Sequence, residues 1–96
     1  MTFEVIISPR ALNDIEDAID FYKFRSNDAP LHFITQLESA YNTLKKNPYH
    51  SIRYKNVRSL KIKKFPYSLF FTLNEETNFV EVLSCFHVKL NPEKRP

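Results

Sequence analysis

Four bases fall within seven residues of the segment RSLKIKKFPYSLFF, residues 58–71. They are Arg58, Lys61, Lys63 and Lys64, with Tyr67 close behind, and Arg53, Tyr54 and Lys55 lie just upstream. Cations interleaved with aromatics on a sheet can hold a phosphate backbone and stack a base. Crowded lysines also lower one another's pKa. A lysine so lowered can act as general base toward a ribose 2′-OH while neighbouring arginines stabilise the phosphorane. That chemistry is metal-free RNA cleavage, with Lys61 or Lys63 as base and Arg58 as phosphate clamp. The competing reading is a solubilising face.

Other reactive side chains are sparser. His32 opens a helix and His50 lies beside Pro48, and neither has another ligand at metal spacing. His87 falls near the end of an apolar strand, on the parity of Leu83 and Cys85, where it reads as a hydrogen-bonded histidine at a core edge. Cys85 reads as core, with no third group to orient a Cys–His pair. Asp14, Asp17 and Asp20 recur at i, i+3, i+6 and read as the solvated face of a helix. These residues call for no metal and no cofactor.

The elements that must position this chemistry follow from periodicity. FEVII, residues 3–7, predicts a first strand. Ser8-Pro9 predicts an N-cap followed by proline at the first helical position. Leu12, Ile15, Ala18, Ile19 and Tyr22 then recur at helical spacing to about Arg25. Asn27-Asp28 predicts the cap of a second helix striped by Phe33, Ile34, Leu37, Tyr41 and Leu44, stopped by Asn47-Pro48. Past Pro48 the period changes to two. Strands are expected around Ile52–Lys55, at Val57–Lys64 (with Lys61 and Lys63 on one face), at Tyr67–Leu73 and at Phe79–Val88. The last should be central and covered on both faces. The fold class is therefore α+β, order β-α-α-β-β-β, an antiparallel sheet of three or four strands packed against an N-terminal helix hairpin.

Composition narrows the function. Ninety-six residues, 43% hydrophobic with nine Phe and five Tyr, supply one modest core, and residues 1–96 read as a single domain. There is no glycine, which disfavours phosphate-cradling Gly-rich loops and dinucleotide fingerprints. Eight asparagines are expected at the left-handed turn positions instead. Nothing approaches the ~20 apolar residues of a membrane span, no signal peptide is evident, and the lone cysteine permits no internal disulfide, all of which fits a cytoplasmic protein. Net charge is +3, unevenly spread: residues 39–74 carry eight bases and no acid. Such a stretch predicts a positive patch and an anionic partner.

Taken together, these motifs resemble the RelE/ParE family of bacterial type II toxins. The likeness rests on the opening strand with Ser8-Pro9-Arg10-Ala11, on Asn47-Pro48, and on Arg53-Tyr54-Lys55-Asn56-Val57-Arg58. It continues through Lys64-Phe65-Pro66-Tyr67-Ser68-Leu69-Phe70-Phe71, Phe86-His87 and Asn91-Pro92-Glu93-Lys94. The resemblance implies a growth-inhibiting, plasmid-stabilisation-type toxin whose target is either ribosome-bound mRNA or DNA gyrase. It also implies a co-encoded antitoxin lying over the helix hairpin and sheet edge. Lys61, Lys63, Tyr67 and His87 match positions that serve cleavage in RNA-cutting members. Arg53, Lys55, Arg58, Lys61, Lys63, Lys64 and Lys89 form the corresponding nucleic-acid-binding set. Ser68 and Leu90 stand where cleaving relatives commonly carry arginine, which favours a gyrase-type target. A non-toxic RNA-binding or adaptor module is the alternative of a different class.

Overall fold

Seven elements follow in the expected order. They are β1 (Glu4–Ile7), α1 (Pro9–Lys23), α2 (Ala29–Lys46), β2 (Ile52–Tyr54), β3 (Val57–Lys61), β4 (Tyr67–Asn74) and β5 (Phe79–His87). The computed structural model describes residues 2–49 and 52–88. The strands form one five-stranded sheet in the order β1-β5-β4-β3-β2. The β2–β5 pairings are antiparallel, as expected. β1 adds to the far side of β5 in parallel, with Val5 opposite Val80 and Ile7 opposite Val82. The helix hairpin serves as the crossover that a parallel return requires.

Ser8 starts α1 from an extended backbone (φ −66°, ψ 158°), its hydroxyl accepting the Ala11 N–H at 3.1 Å. Such a cap contributes about 1 kcal/mol. Ala11, Ile15 and Ala18 are its buried face. Leu12, expected in that stripe, is 51% exposed; Ala11, one position earlier, takes the place and lets the helix sit close to the sheet. Asp28 occupies the N-cap position of α2 without the expected side-chain bond. Its backbone is already helical (φ −95°, ψ −19°), whereas capping geometry starts from extended dihedrals. On α2, Phe33, Ala40 and Leu44 are buried, while Ile34 stays outside the core cluster. This helix also covers the outer edge of β1: Phe3 N–H donates to the Lys45 carbonyl at 2.8 Å, and the Tyr41 hydroxyl donates to the Val5 carbonyl at 3.0 Å.

The main core lies between the hairpin and one sheet face, where Phe33, Leu44, Leu69, Phe71, Val80 and Val82 meet. Each fully buried aromatic or leucine here contributes roughly 1.5–3 kcal/mol of transfer energy. A second cluster, Val57, Phe70 and Phe86 with Leu83 and Val88 against it, lies on the opposite, outer face.

Three departures from the sequence reading affect the site. β3 ends at Lys61 rather than Lys64, and Ile62–Pro66 is a turn tied by Ile62 N–H to the Tyr67 carbonyl (2.9 Å) and Val88 N–H to the Pro66 carbonyl (3.1 Å). Pro66 has no N–H to continue the ladder. Secondly, the left-handed positions among the described residues fall to Lys55 (φ 48°), Lys64 (φ 70°) and Asn78 (φ 59°), so one asparagine and two lysines adopt them. That conformation costs a non-glycine residue roughly 1–2 kcal/mol. Thirdly, β5 is bulged. Phe70 pairs with Ser84 and Phe71 with Val82, leaving Leu83 as the extra residue. The bulge flips the parity: Val80 and Val82 face the helices before it, Cys85 after it, and Leu83 turns to the outer cluster. Leu83 and Cys85 therefore do not share a face.

Candidate functional site

Strand register decides which of the basic residues can cooperate. In β3, Ser59 stands opposite Phe70 and Lys61 opposite Ser68, which in turn pairs with Phe86. Directly paired residues point to the same side of a sheet. Lys61 is thus exposed on the outer face, in a row with Ser68 and Phe86. Arg58 stands opposite Phe71 and Leu60 opposite Leu69, both core residues, so Arg58 is on the helix side. Its guanidinium lies 5.8 Å from the Tyr49 ring centroid, and the Tyr49 hydroxyl donates to Glu75 at 3.3 Å. The stretch that is free of acids in sequence therefore meets a carboxylate in space.

The remaining bases scatter around these two. Lys55 is exposed in the β2–β3 turn, at the opposite end of β3 from Lys61, about 13 Å of strand away. Lys63 and Lys64 are exposed in the Ile62–Pro66 turn, so Lys63 does not share a strand face with Lys61 as expected. Arg53 lies in β2. Lys89 lies outside the described residues, as do Leu90 and His50.

Tyr67 opens β4 and pairs with His87 at the end of β5, the rings meeting edge-on at 4.8 Å. Tyr67 also contacts Phe33 at 5.5 Å and Tyr22 at 6.2 Å, which places it in the main core. Burial, reinforced by nearby Tyr22, Cys85 and Asp17, pushes its phenol up to about 12. At neutral pH Tyr67 is protonated: it can donate a hydrogen bond and cannot accept a proton as a base. Lys61, Tyr67 and His87 thus stand at one end of the sheet, yet Lys61 is on the outer face and the Tyr67–His87 pair on the helix side. Ser68, between Phe86 and Lys61 in the outer row, is itself buried.

Cys85 is buried, as read from sequence, and burial followed by the charge of Asp14 pushes its thiol up to about 12. Asp14 departs from the expected solvated face: its carboxylate accepts the Cys85 N–H at 3.1 Å. Ser8 supports the same bulge, donating its N–H to the Val82 carbonyl (3.0 Å) and its hydroxyl to the Leu83 carbonyl (3.1 Å). No local motif announces these contacts, because the partners are 71 and 75 residues apart. Among the described residues no group of three His, Cys, Asp or Glu is placed to hold a metal. None of their helices is long and apolar enough to cross a membrane.

The arrangement of this helix hairpin on its sheet matches that of solved structures. The chain superposes on a chain of the chromosomal ParDE TA system from P. aeruginosa with a TM-score of 0.76 at 14% identity, covering 88% of this chain and 95% of that one. It superposes on the YoeB dimer structure from Staphylococcus aureus with a TM-score of 0.57 at 13% identity, covering 86% and 93%. No curated protein matches by sequence. Residues 5–89 match the family described as the ParE toxin of the type II toxin-antitoxin system, parDE. The chain belongs to the ParE toxin family.

Proposed function

We propose that the protein arrests growth through a DNA-gyrase-type target without cutting RNA, and that a co-encoded antitoxin holds it inactive. The observation that carries this reading is the division of the cleavage candidates. Lys61 stands on the outer face, the Tyr67–His87 pair on the helix side, and Lys63 in the turn between. Phosphodiester transfer needs the group that takes the 2′ proton and the groups that meet the developing charge to converge within hydrogen-bond reach of one phosphate. Residues on opposite sides of a sheet do not share a phosphate. Ser68 adds to the argument: an uncharged, buried hydroxyl occupies the outer row beside Lys61. The likeness to a chain of a ParDE system and the membership of the ParE toxin family support the antitoxin partner.

Two measurements on one induced culture test the proposal. Primer extension on abundant mRNAs is expected to return full-length products while plasmid supercoiling falls and DNA-damage signalling rises. Lys61→Ala with His87→Ala is expected to leave growth arrest in place. New mRNA 5′ ends in phase with codons, abolished by that double variant, would establish ribosome-dependent cleavage instead.

A further inference from the structure

On the helix side, a cavity of about 310 Å³ opens between α2 and the β3–β4 turn, lined by His32, Thr35, Gln36, Lys64 and Phe65. Of its lining, only Lys64 belongs to the nucleic-acid-binding set that the resemblance implies. His32, Thr35 and Gln36 are spaced i, i+3, i+4, so they stand on one side of the helix. Phe65 is fixed between two rings, edge-on to Tyr22 at 5.1 Å and to Phe33 at 5.2 Å, and is itself only half-buried. It gives the cavity an ordered aromatic wall.

From this arrangement we infer that the cavity binds a nucleotide, with its phosphate at Lys64 and His32 and its base against Phe65. Lys64 and His32 supply the ionisable groups and no carboxylate is among the lining residues. The larger grooves around Ile6 and Phe79, around Phe3 and Tyr41, and along the outer sides of both helices each include at least one Glu or Asp. Lys64 is held left-handed (φ 70°), a cost for a residue with a Cβ, at the position that brings its side chain to this cavity. The Thr35 hydroxyl donates to the Leu31 carbonyl at 3.0 Å, leaving its oxygen as an acceptor, and the Gln36 amide offers both donor and acceptor. An anionic group combined with a flat face and hydrogen-bond donors is the chemistry of a nucleotide. The volume lies at the lower end of the ~300–1,000 Å³ typical of ligand pockets.

A mononucleotide in solution and one nucleotide of a single-stranded RNA present the same chemistry, and titration separates them. The full-length, ¹⁵N-labelled chain is titrated with adenosine 5′-monophosphate, with a hexa-adenylate RNA and with inorganic phosphate, following backbone amide shifts. Saturable shifts at His32, Thr35, Gln36, Lys64 and Phe65 are expected with the first two probes. Lys64→Gly, which suits the left-handed backbone while removing the amine, is expected to weaken binding at least tenfold. Lys46→Ala, at the far end of the same helix, should change it less than twofold. RNA binding tenfold tighter than the mononucleotide identifies a strand as the occupant; equal affinities identify a free nucleotide. The inference is overturned if shifts are absent at millimolar probe, if they fall elsewhere on the chain, if Lys64→Gly binds as well as the parent, or if inorganic phosphate binds as tightly as the mononucleotide.

Discussion

Asp14 of α1 and Cys85 of β5 are joined across 71 residues by a 3.1 Å hydrogen bond from the Cys85 amide to the Asp14 carboxylate. β1 ends at Ile7, opposite Val82, so β5 runs on past its parallel neighbour and its backbone groups on that side must find partners elsewhere. Ser8 and Asp14 provide them from the first turns of α1, so the cap that starts the helix also fixes the strand that ends at His87.

Asp14→Ala should therefore destabilise the fold by about 1–3 kcal/mol, the cost of leaving a buried amide unpaired. Asp14→Asn keeps an acceptor and should lose less. Urea unfolding with an unchanged m-value reads the difference, and a wild-type midpoint for Asp14→Ala would refute the role.

The thiol of Cys85 should be inert in the native state. Raising its pKa from 9.0 to about 12 reduces the thiolate about a thousandfold at a given pH. Alkylation at pH 8 is expected to be slow in buffer and fast in denaturant, followed by intact-mass spectrometry. Rapid labelling of the folded chain would show that the Asp14 side of β5 opens readily.

Tyr67 imposes an alkaline limit. The folded chain holds its phenolic proton to about 12, against 10.0 for the unexceptional group, so the unfolded state gives up that proton first. The associated stability is fully present below about pH 10 and is lost as pH rises from about 10 to 12. Comparing urea midpoints at pH 9 and 11, Tyr67→Phe should lose less stability over that interval than the parent.

Exposure separates the aromatics near the hairpin. Phe33 is fully buried against Tyr22, Phe65 and Tyr67, and Phe33→Ala should cost about 3–5 kcal/mol. Phe24, 90% exposed just past α1, should change stability by no more than about 0.5 kcal/mol on the same substitution. Equal effects on the thermal midpoint would contradict the packing described.

Much of the architecture was legible because it rests on local rules. Ser8-Pro9 starts a helix wherever a capping hydroxyl precedes a fixed φ; Asn47-Pro48 ends one because proline cannot extend it. The period of two expected past Pro48 holds in β3, where Leu60 packs against the core and Lys61 is exposed. Other readings failed where one residue can alter the phase of a strand. Leu83, as a bulge, reversed the parity that had put Leu83 and Cys85 together, and the early end of β3 moved Lys63 into a turn. The basic cluster was real in composition, but period-two geometry sends Arg58 and Lys61, three residues apart, to opposite faces.

Sequence alone, then, determined the order of elements, the family and the charge of the basic segment, since caps, periods and residue types act over a few neighbours. Tertiary structure decided what those charges can do together. Pairing of β3 with β4, and of β4 with β5, set Lys61 apart from Tyr67 and His87, packing gave Asp14 a structural partner, and the β3–β4 turn put Lys64 on the same cavity as His32. Those relationships depend on register and on contacts between distant segments, which no short stretch of the chain encodes.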